Sequence, residues 1–175
     1  MNKKGFTTVE LIVSFIVIVI ILGSLVGFTI NYRDRVKLEQ IKSSLIDFKN
    51  TITKAVYDDI IDNNIKSMEY CVGYDNCVNL IDSENNSHTL KIFYESKDGN
   101  DNYQSYLSYN NIKYELPDSD INKYQINNEK IVVSEKASDF DSFELKSYNN
   151  SLYNLKITFS HYMLKDNFEI LININ

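Results

Sequence analysis

Residues 11–30 read Leu-Ile-Val-Ser-Phe-Ile-Val-Ile-Val-Ile-Ile-Leu-Gly-Ser-Leu-Val-Gly-Phe-Thr-Ile, twenty positions without a charge or a proline. At 1.5 Å per helical residue such a run extends about 30 Å, the hydrocarbon thickness of a bilayer. Only Ser14, Gly23, Ser24, Gly27 and Thr29 fall outside the strongly apolar set, and a core helix is rarely apolar all round over this length. The run therefore predicts a membrane-spanning helix. Its flanks do not fix the orientation, because Arg33, Arg35 and Lys37 on one side outnumber Lys3 and Lys4 on the other. A secretory signal peptide would carry an apolar core of about 7–15 residues and a small-x-small cleavage site. Here the run is longer and leads into Asn31-Tyr32-Arg33-Asp34-Arg35 without one. A plain signal anchor fits the same composition.

The chain has 175 residues, 43% hydrophobic and 24% charged, which is the arithmetic of one folded domain and not of a disordered tail. Beyond Tyr32 it turns polar, acidic and rich in Asn and Tyr. Residues 33–175 hold 16 basic and 23 acidic side chains, a net charge of −7. That balance argues against direct nucleic-acid binding, which relies on Lys and Arg neutralising phosphates.

Immediately before the apolar run stands Lys3-Lys4-Gly5-Phe6-Thr7-Thr8-Val9-Glu10. A short basic leader ends in glycine, then come Phe6, a small polar pair and Glu10 as the single charge ahead of the helix. This string resembles the N-terminal signal of type IV pilins and type II secretion pseudopilins. The resemblance implies that a prepilin peptidase removes residues 1–5 by cutting between Gly5 and Phe6, then methylates the new Phe6 amine. It also implies that Glu10 faces the Phe6 amine of a neighbouring subunit and sets axial register in a filament. A carboxylate within hydrocarbon costs about 3 kcal/mol on insertion scales, so an acid here points to function by default. The plainer reading of Glu10 is that it lies at headgroup level and marks the helix start, near the positive end of the helix dipole. Many members of the family carry a proline midway along this helix. Here Gly23 and Gly27 are the weak points, since glycine is a poor helix former.

After Tyr32, apolar residues recur at Leu38, Ile41, Leu45, Phe48, Ile52, Ala55, Val56 and Ile60, the three-and-four spacing of one amphipathic helix face. Lys37, Glu39, Lys42, Asp47, Lys49 and Lys54 take the opposite face. With no proline between, one helix is expected from Phe6 to about Ile61, roughly 84 Å at the usual rise. The period then changes to two. Met68, Tyr70 and Val72 alternate with polar neighbours, as do Leu90, Ile92 and Tyr94. Asn110-Asn111 predicts a tight turn between Leu107–Tyr109 and Ile112–Leu116. A second hairpin is expected to join Tyr124–Ile126 to Ile131–Val133. Phe143 and Leu145, the Tyr153–Phe159 alternation and the Phe168–Ile174 alternation predict a terminal antiparallel meander, apolar on one face. The expected fold class is α+β, a long N-terminal helix packed on an antiparallel β-sheet domain. Its divisions are a leader at 1–5, an apolar membrane and assembly helix at 6–32, an amphipathic continuation at 33–65 and a β-rich extracytoplasmic domain at 66–175.

Cys71 and Cys77 are the only cysteines. An even number outside the cytoplasm suggests a disulfide, closing a short loop with a staple on the order of 2 kcal/mol; two free thiols are the competing reading. Pilins often bracket a C-terminal loop with their disulfide, and this pair lies instead just after the helix. His88 and His161 are too isolated in sequence to complete a metal site. Nucleophile elbow, phosphate-binding glycine loop and metal-binding helix motif are all missing, so no catalytic residue, metal or cofactor is assigned. Thirteen tyrosines fall mostly at strand positions, where tyrosine forms β structure well.

The expected role is a structural subunit, a minor pilin or pseudopilin, anchored by one span with its C-terminal domain outside and then extracted into a surface filament. Its expected partners are prepilin peptidase, other pilin or pseudopilin subunits, the inner-membrane assembly machinery and membrane lipid. Pilus, secretion and DNA-uptake filaments fit equally. The alternative is a membrane-anchored binding domain, an adhesin or sensor that never polymerises.

Overall fold

A computed structural model describes residues 7–96, 103–119, 123–127, 130–135, 137–148 and 152–174. Helix α1 spans Thr8–Asp62, and ten strands follow in order: β1 Ser67–Tyr70, β2 Cys77–Ile81, β3 Ser87–Ser96, β4 Tyr103–Tyr109, β5 Ile112–Glu115, β6 Lys123–Asn127, β7 Lys130–Glu135, β8 Ser138–Tyr148, β9 Leu152–His161 and β10 Phe168–Ile174. The chain divides into two compact units, Met1–Gln40 and Ile41–Asn175.

In the first unit α1 passes Gly23 and Gly27 without interruption, so neither glycine breaks the backbone ladder. Ser14, Ser24 and Thr29 are the hydroxyl residues of the apolar run. Each donates to the carbonyl four residues back, Glu10, Ile20 and Leu25, at 2.8–2.9 Å. That arrangement leaves no side-chain donor of the run unmet in an apolar surrounding.

In the second unit the stripe read from the sequence is the buried one: Ile41, Leu45, Phe48, Ile52 and Val56 enter the core, while Glu39, Asp47 and Lys54 stay exposed. The helix stops at a left-handed cap. Asn64 takes φ 51°, and the Ile65 amide reaches back to the Ile60 carbonyl at 3.2 Å, the six-to-one bond of a Schellman turn. Ile65 itself is buried beneath the turn.

The α+β class holds, with a difference in the β part. In place of one sheet there are two antiparallel sheets and a two-stranded ribbon: β1-β2-β3-β4-β5, β10-β9-β8, and β6-β7. Both sheets contribute to one core with α1. Met68, Val78, Leu80, Leu90 and Leu107 come from the first, and Phe140, Leu155, Ile157, Phe159, Ile170 and Ile172 from the second. Phe48 of the helix meets Phe159 edge-on at 5.5 Å between ring centroids, the geometry favoured by aromatic quadrupoles. The sheets are tied where β1 adjoins β8, since the Leu145 amide donates to the Tyr70 hydroxyl at 2.7 Å. On the other side the Asn173 amide of β10 donates to the Tyr57 hydroxyl of the helix at 3.2 Å.

The expected meander is β8-β9-β10, with Phe143 opposite Ile157 and Ile157 opposite Ile170. The Asn110-Asn111 turn is present, both residues in left-handed conformation at φ 48° and 66°, with Tyr109 paired to Ile112. The ribbon pairs Ile126 with Ile131 as expected. Two readings need correction. Strand β1 ends at Tyr70, not at Val72, because the chain enters a turn in which Gly73 takes φ 82°. Strand β2 had no counterpart in the sequence reading, although it is an interior strand with Val78 and Leu80 fully buried.

Candidate functional site

The helix start is built by reciprocal capping. Thr7 precedes the first helical residue, and its hydroxyl accepts the Glu10 amide at 3.3 Å. Glu10 returns its carboxylate to Thr7, whose amide and hydroxyl donate to Oε2 at 2.8 Å and 3.0 Å. This is a capping box, Thr-x-x-Glu, in which two helix-end donors are met by two side chains. The local signal for it is the Thr-x-x-Glu spacing of Thr7-Thr8-Val9-Glu10. The carboxylate also stands where the helix dipole favours negative charge. Gly5, Phe6, Lys3 and Lys4 lie outside the described residues.

From Val9 to Ile30 the apolar side chains are exposed, Phe28 to 69% of its surface. The most apolar window of α1 has a mean hydropathy of 3.0 with none of it buried. Exposed apolar surface of this extent in a folded chain marks a membrane or protein contact. The chain thus has one N-terminal helix long and apolar enough to span a membrane, followed by an α+β domain.

Cys71 and Cys77 form a disulfide with 5.3 Å between their Cα atoms, within the ordinary range. The bond closes the β1–β2 turn. Around it the Cys71 amide donates to the Cys77 carbonyl at 3.0 Å, and the Ile92 amide of β3 donates to the Asn76 carbonyl at 2.9 Å. The loop is therefore clamped at its base and seated on the sheet, with Val72 98% and Tyr74 71% exposed above it.

A polar cluster fastens the last turns of α1 to the five-stranded sheet. His88 Nδ1 lies 2.8 Å from Asp59 Oδ2, and its Nε2 lies 3.5 Å from Asp82 Oδ2. The same Asp59 oxygen accepts from the Tyr109 hydroxyl and from Asn110 Nδ2. Asp82 caps the β2–β3 turn, accepting the Glu84 and Asn86 amides and the Asn86 side chain, each at 2.8 Å. The Asn86 side-chain bond leads in holding the Asp82 carboxyl down at about 2, with the turn amides and His88 adding to it against partial desolvation. Burial, reinforced by the Asp59 bond, pushes the Tyr109 phenol up. His161, the other histidine, is buried with Nδ1 accepting the Met163 amide at 3.1 Å and Nε2 3.3 Å from Asp118 Oδ2. Both histidines thus sit beside carboxylates, as parts of structural networks that sequence separation concealed. Among the described residues no group of three His, Cys, Asp or Glu side chains is arranged to hold a metal ion.

No protein-family model, curated protein or solved structure matches the chain.

Proposed function

We infer that this chain is a structural subunit, a minor pilin or pseudopilin, of a type IV pilus-like filament. Supporting this reading is one continuous helix with two different surfaces: Leu11–Ile30 exposed and apolar throughout, Ile41–Val56 apolar only along the stripe that enters the domain core. Such a helix is anchored in lipid before assembly and packed against other subunits afterwards, because either surrounding satisfies the same apolar surface. The motif at Gly5, Phe6 and Glu10 supplies the processing step. Prepilin peptidase cuts the leader and methylates Phe6, and Glu10 then exchanges its Thr7 partner for the Phe6 amine of a neighbour. An ammonium placed against a carboxylate in a dry filament core offsets the desolvation of both. The domain stands outside the membrane, where a disulfide persists, and its role is structural and not enzymatic.

The test is recovery of the chain in filaments sheared from the cell surface or purified from the periplasm. Co-purification with other subunits bearing the same N-terminal motif is expected. A chain confined to the membrane fraction, while such filaments assemble normally without it, contradicts the reading and favours an anchored binding domain.

A further inference from the structure

The disulfide loop overhangs a cleft of about 580 Å³, within the span of about 300–1,000 Å³ common to small-ligand sites. Tyr74, Asp75 and Asn76 of the loop line it together with Lys91 and Phe93 of β3. A second cleft of about 570 Å³ lies against the other side of the same loop, and Tyr74 and Asp75 border both. The Tyr74 hydroxyl, the Asp75 carboxylate and the Lys91 ammonium make no hydrogen bond or ion pair with another described residue. By contrast, Lys113 is bound to Glu95 and Lys156 to Glu169, both at 2.6 Å. Tyr74 and Asp75 thus present their polar ends from a ridge whose backbone is held by a disulfide, and Lys91 of β3 stands over the Phe93 ring at 5.8 Å from its centroid.

The chemistry of the cleft narrows what it accepts. Strand β2 covers β3 only as far as Cys77 opposite Lys91, and beyond that point the loop itself takes the next ladder position, the Asn76 carbonyl accepting the Ile92 amide; an extended peptide would have to displace the disulfide-held loop to pair there. One lysine beside one aspartate supplies no net charge for a phosphate backbone. A carboxylate, an amide and an ammonium around an open cleft disfavour a lipid chain. A polyhydroxylated ligand with apolar ring faces satisfies what remains: an exposed tyrosine ring to cover a sugar face, and Asp75, Asn76 and Lys91 to meet hydroxyls with acceptors and donors.

We propose that the cleft beneath the Cys71–Cys77 loop is a binding site for a neutral saccharide chain, stacked on Tyr74 and held by Asp75 and Lys91, with the chain free to continue across the ridge into the second cleft. The site is independent of whether the subunit polymerises. It is tested with the full-length chain in lipid nanodiscs, titrated by calorimetry and saturation-transfer NMR with chitotriose, cellotriose and maltotriose. Binding of at least one trisaccharide near millimolar Kd is expected, weakened tenfold or more by Tyr74→Ala and by Asp75→Asn. Tyr162→Ala, which removes another exposed tyrosine outside the cleft, is expected to leave it unchanged. Failure of all three sugars to bind at millimolar concentration, or equal weakening by Tyr162→Ala, overturns the proposal.

Discussion

The hydroxyl of Tyr109 donates a hydrogen bond to the carboxylate of Asp59, fifty residues earlier, and so fastens the last turns of α1 to the end of β4. Asn110 and His88 converge on the same oxygen. Tyr109 is 3% exposed, so the bond to a charged acceptor forms out of water and is worth about 1.5–3 kcal/mol. Tyr109→Phe is expected to lower the urea unfolding free energy of the domain by that amount, and a loss under about 0.5 kcal/mol would show that water replaces the bond without penalty. Alkali provides an independent reading. Because the folded phenol is raised above its ordinary value of 10.0, its contribution is complete below pH 10 and declines as pH rises beyond it. Stability should fall above pH 10 in the native chain, and less steeply in Tyr109→Phe.

Asp82 makes the opposite prediction in acid. Its folded carboxyl is held at about 2 against 3.8 for the ordinary group. The contribution is therefore present above about pH 4 and lost as pH falls through about 2. Asp82→Asn should flatten the stability profile between those values, as followed by circular dichroism. An acid limb as steep as that of the native chain would mean that other carboxylates govern it.

Replacing both Cys71 and Cys77 with serine removes a seven-residue ring, a loss on the order of 2 kcal/mol by loop-closure entropy. Dithiothreitol on the native chain should reproduce it. Since the Cys71 amide and the Asn76 carbonyl hold the loop base, amide exchange is expected to speed up at Cys71 and Ile92 and to stay slow at Leu155 and Ile170. Uniform acceleration across both sheets would show that the bond supports the whole domain and not the loop alone.

Much of this architecture is legible in the residues, and the remainder is not for identifiable reasons. Twenty uncharged residues and the stripe from Ile41 to Val56 specify α1 because each pattern is repeated over many turns. Asn110-Asn111 specifies its hairpin because few residues tolerate two successive left-handed conformations. Strand β2 has little sequence signature because Cys77–Ile81 is only five residues long, with Val78 and Leu80 as its two alternating apolar positions, too few to establish a period of two. Alternation also tells which face of a strand is apolar but not which strands pair, so the division into two sheets and a ribbon could not be read. The Asp59, His88, Asp82 and Tyr109 cluster unites four distant segments and has no linear signature. The Thr7–Glu10 capping box, by contrast, is local, because its two partners stand at the fixed Thr-x-x-Glu spacing.

That capping box separates two roles for Glu10. Thr7→Val removes the hydroxyl that caps the helix, at a cost of about 1 kcal/mol, and leaves the carboxylate available to a neighbour. If Glu10 serves only as a cap, Thr7→Val and Glu10→Ala should impair filament incorporation alike. The account predicts that Glu10→Ala is processed but poorly incorporated, with Thr7→Val close to native, as read by immunoblot of sheared filaments. Equal incorporation of both variants would remove the register role.

Leader removal is the step on which the filament reading rests, and mass spectrometry of the intact chain and its N-terminal peptide, taken from its own cells, tests it most directly. The account predicts a chain that begins at Phe6 and carries one extra methyl group on its amine, with Gly5 replaced by a bulky residue leaving the leader in place. A native chain that retains Met1 to Gly5 would contradict the account and make this an anchored domain whose function lies on its exposed surface.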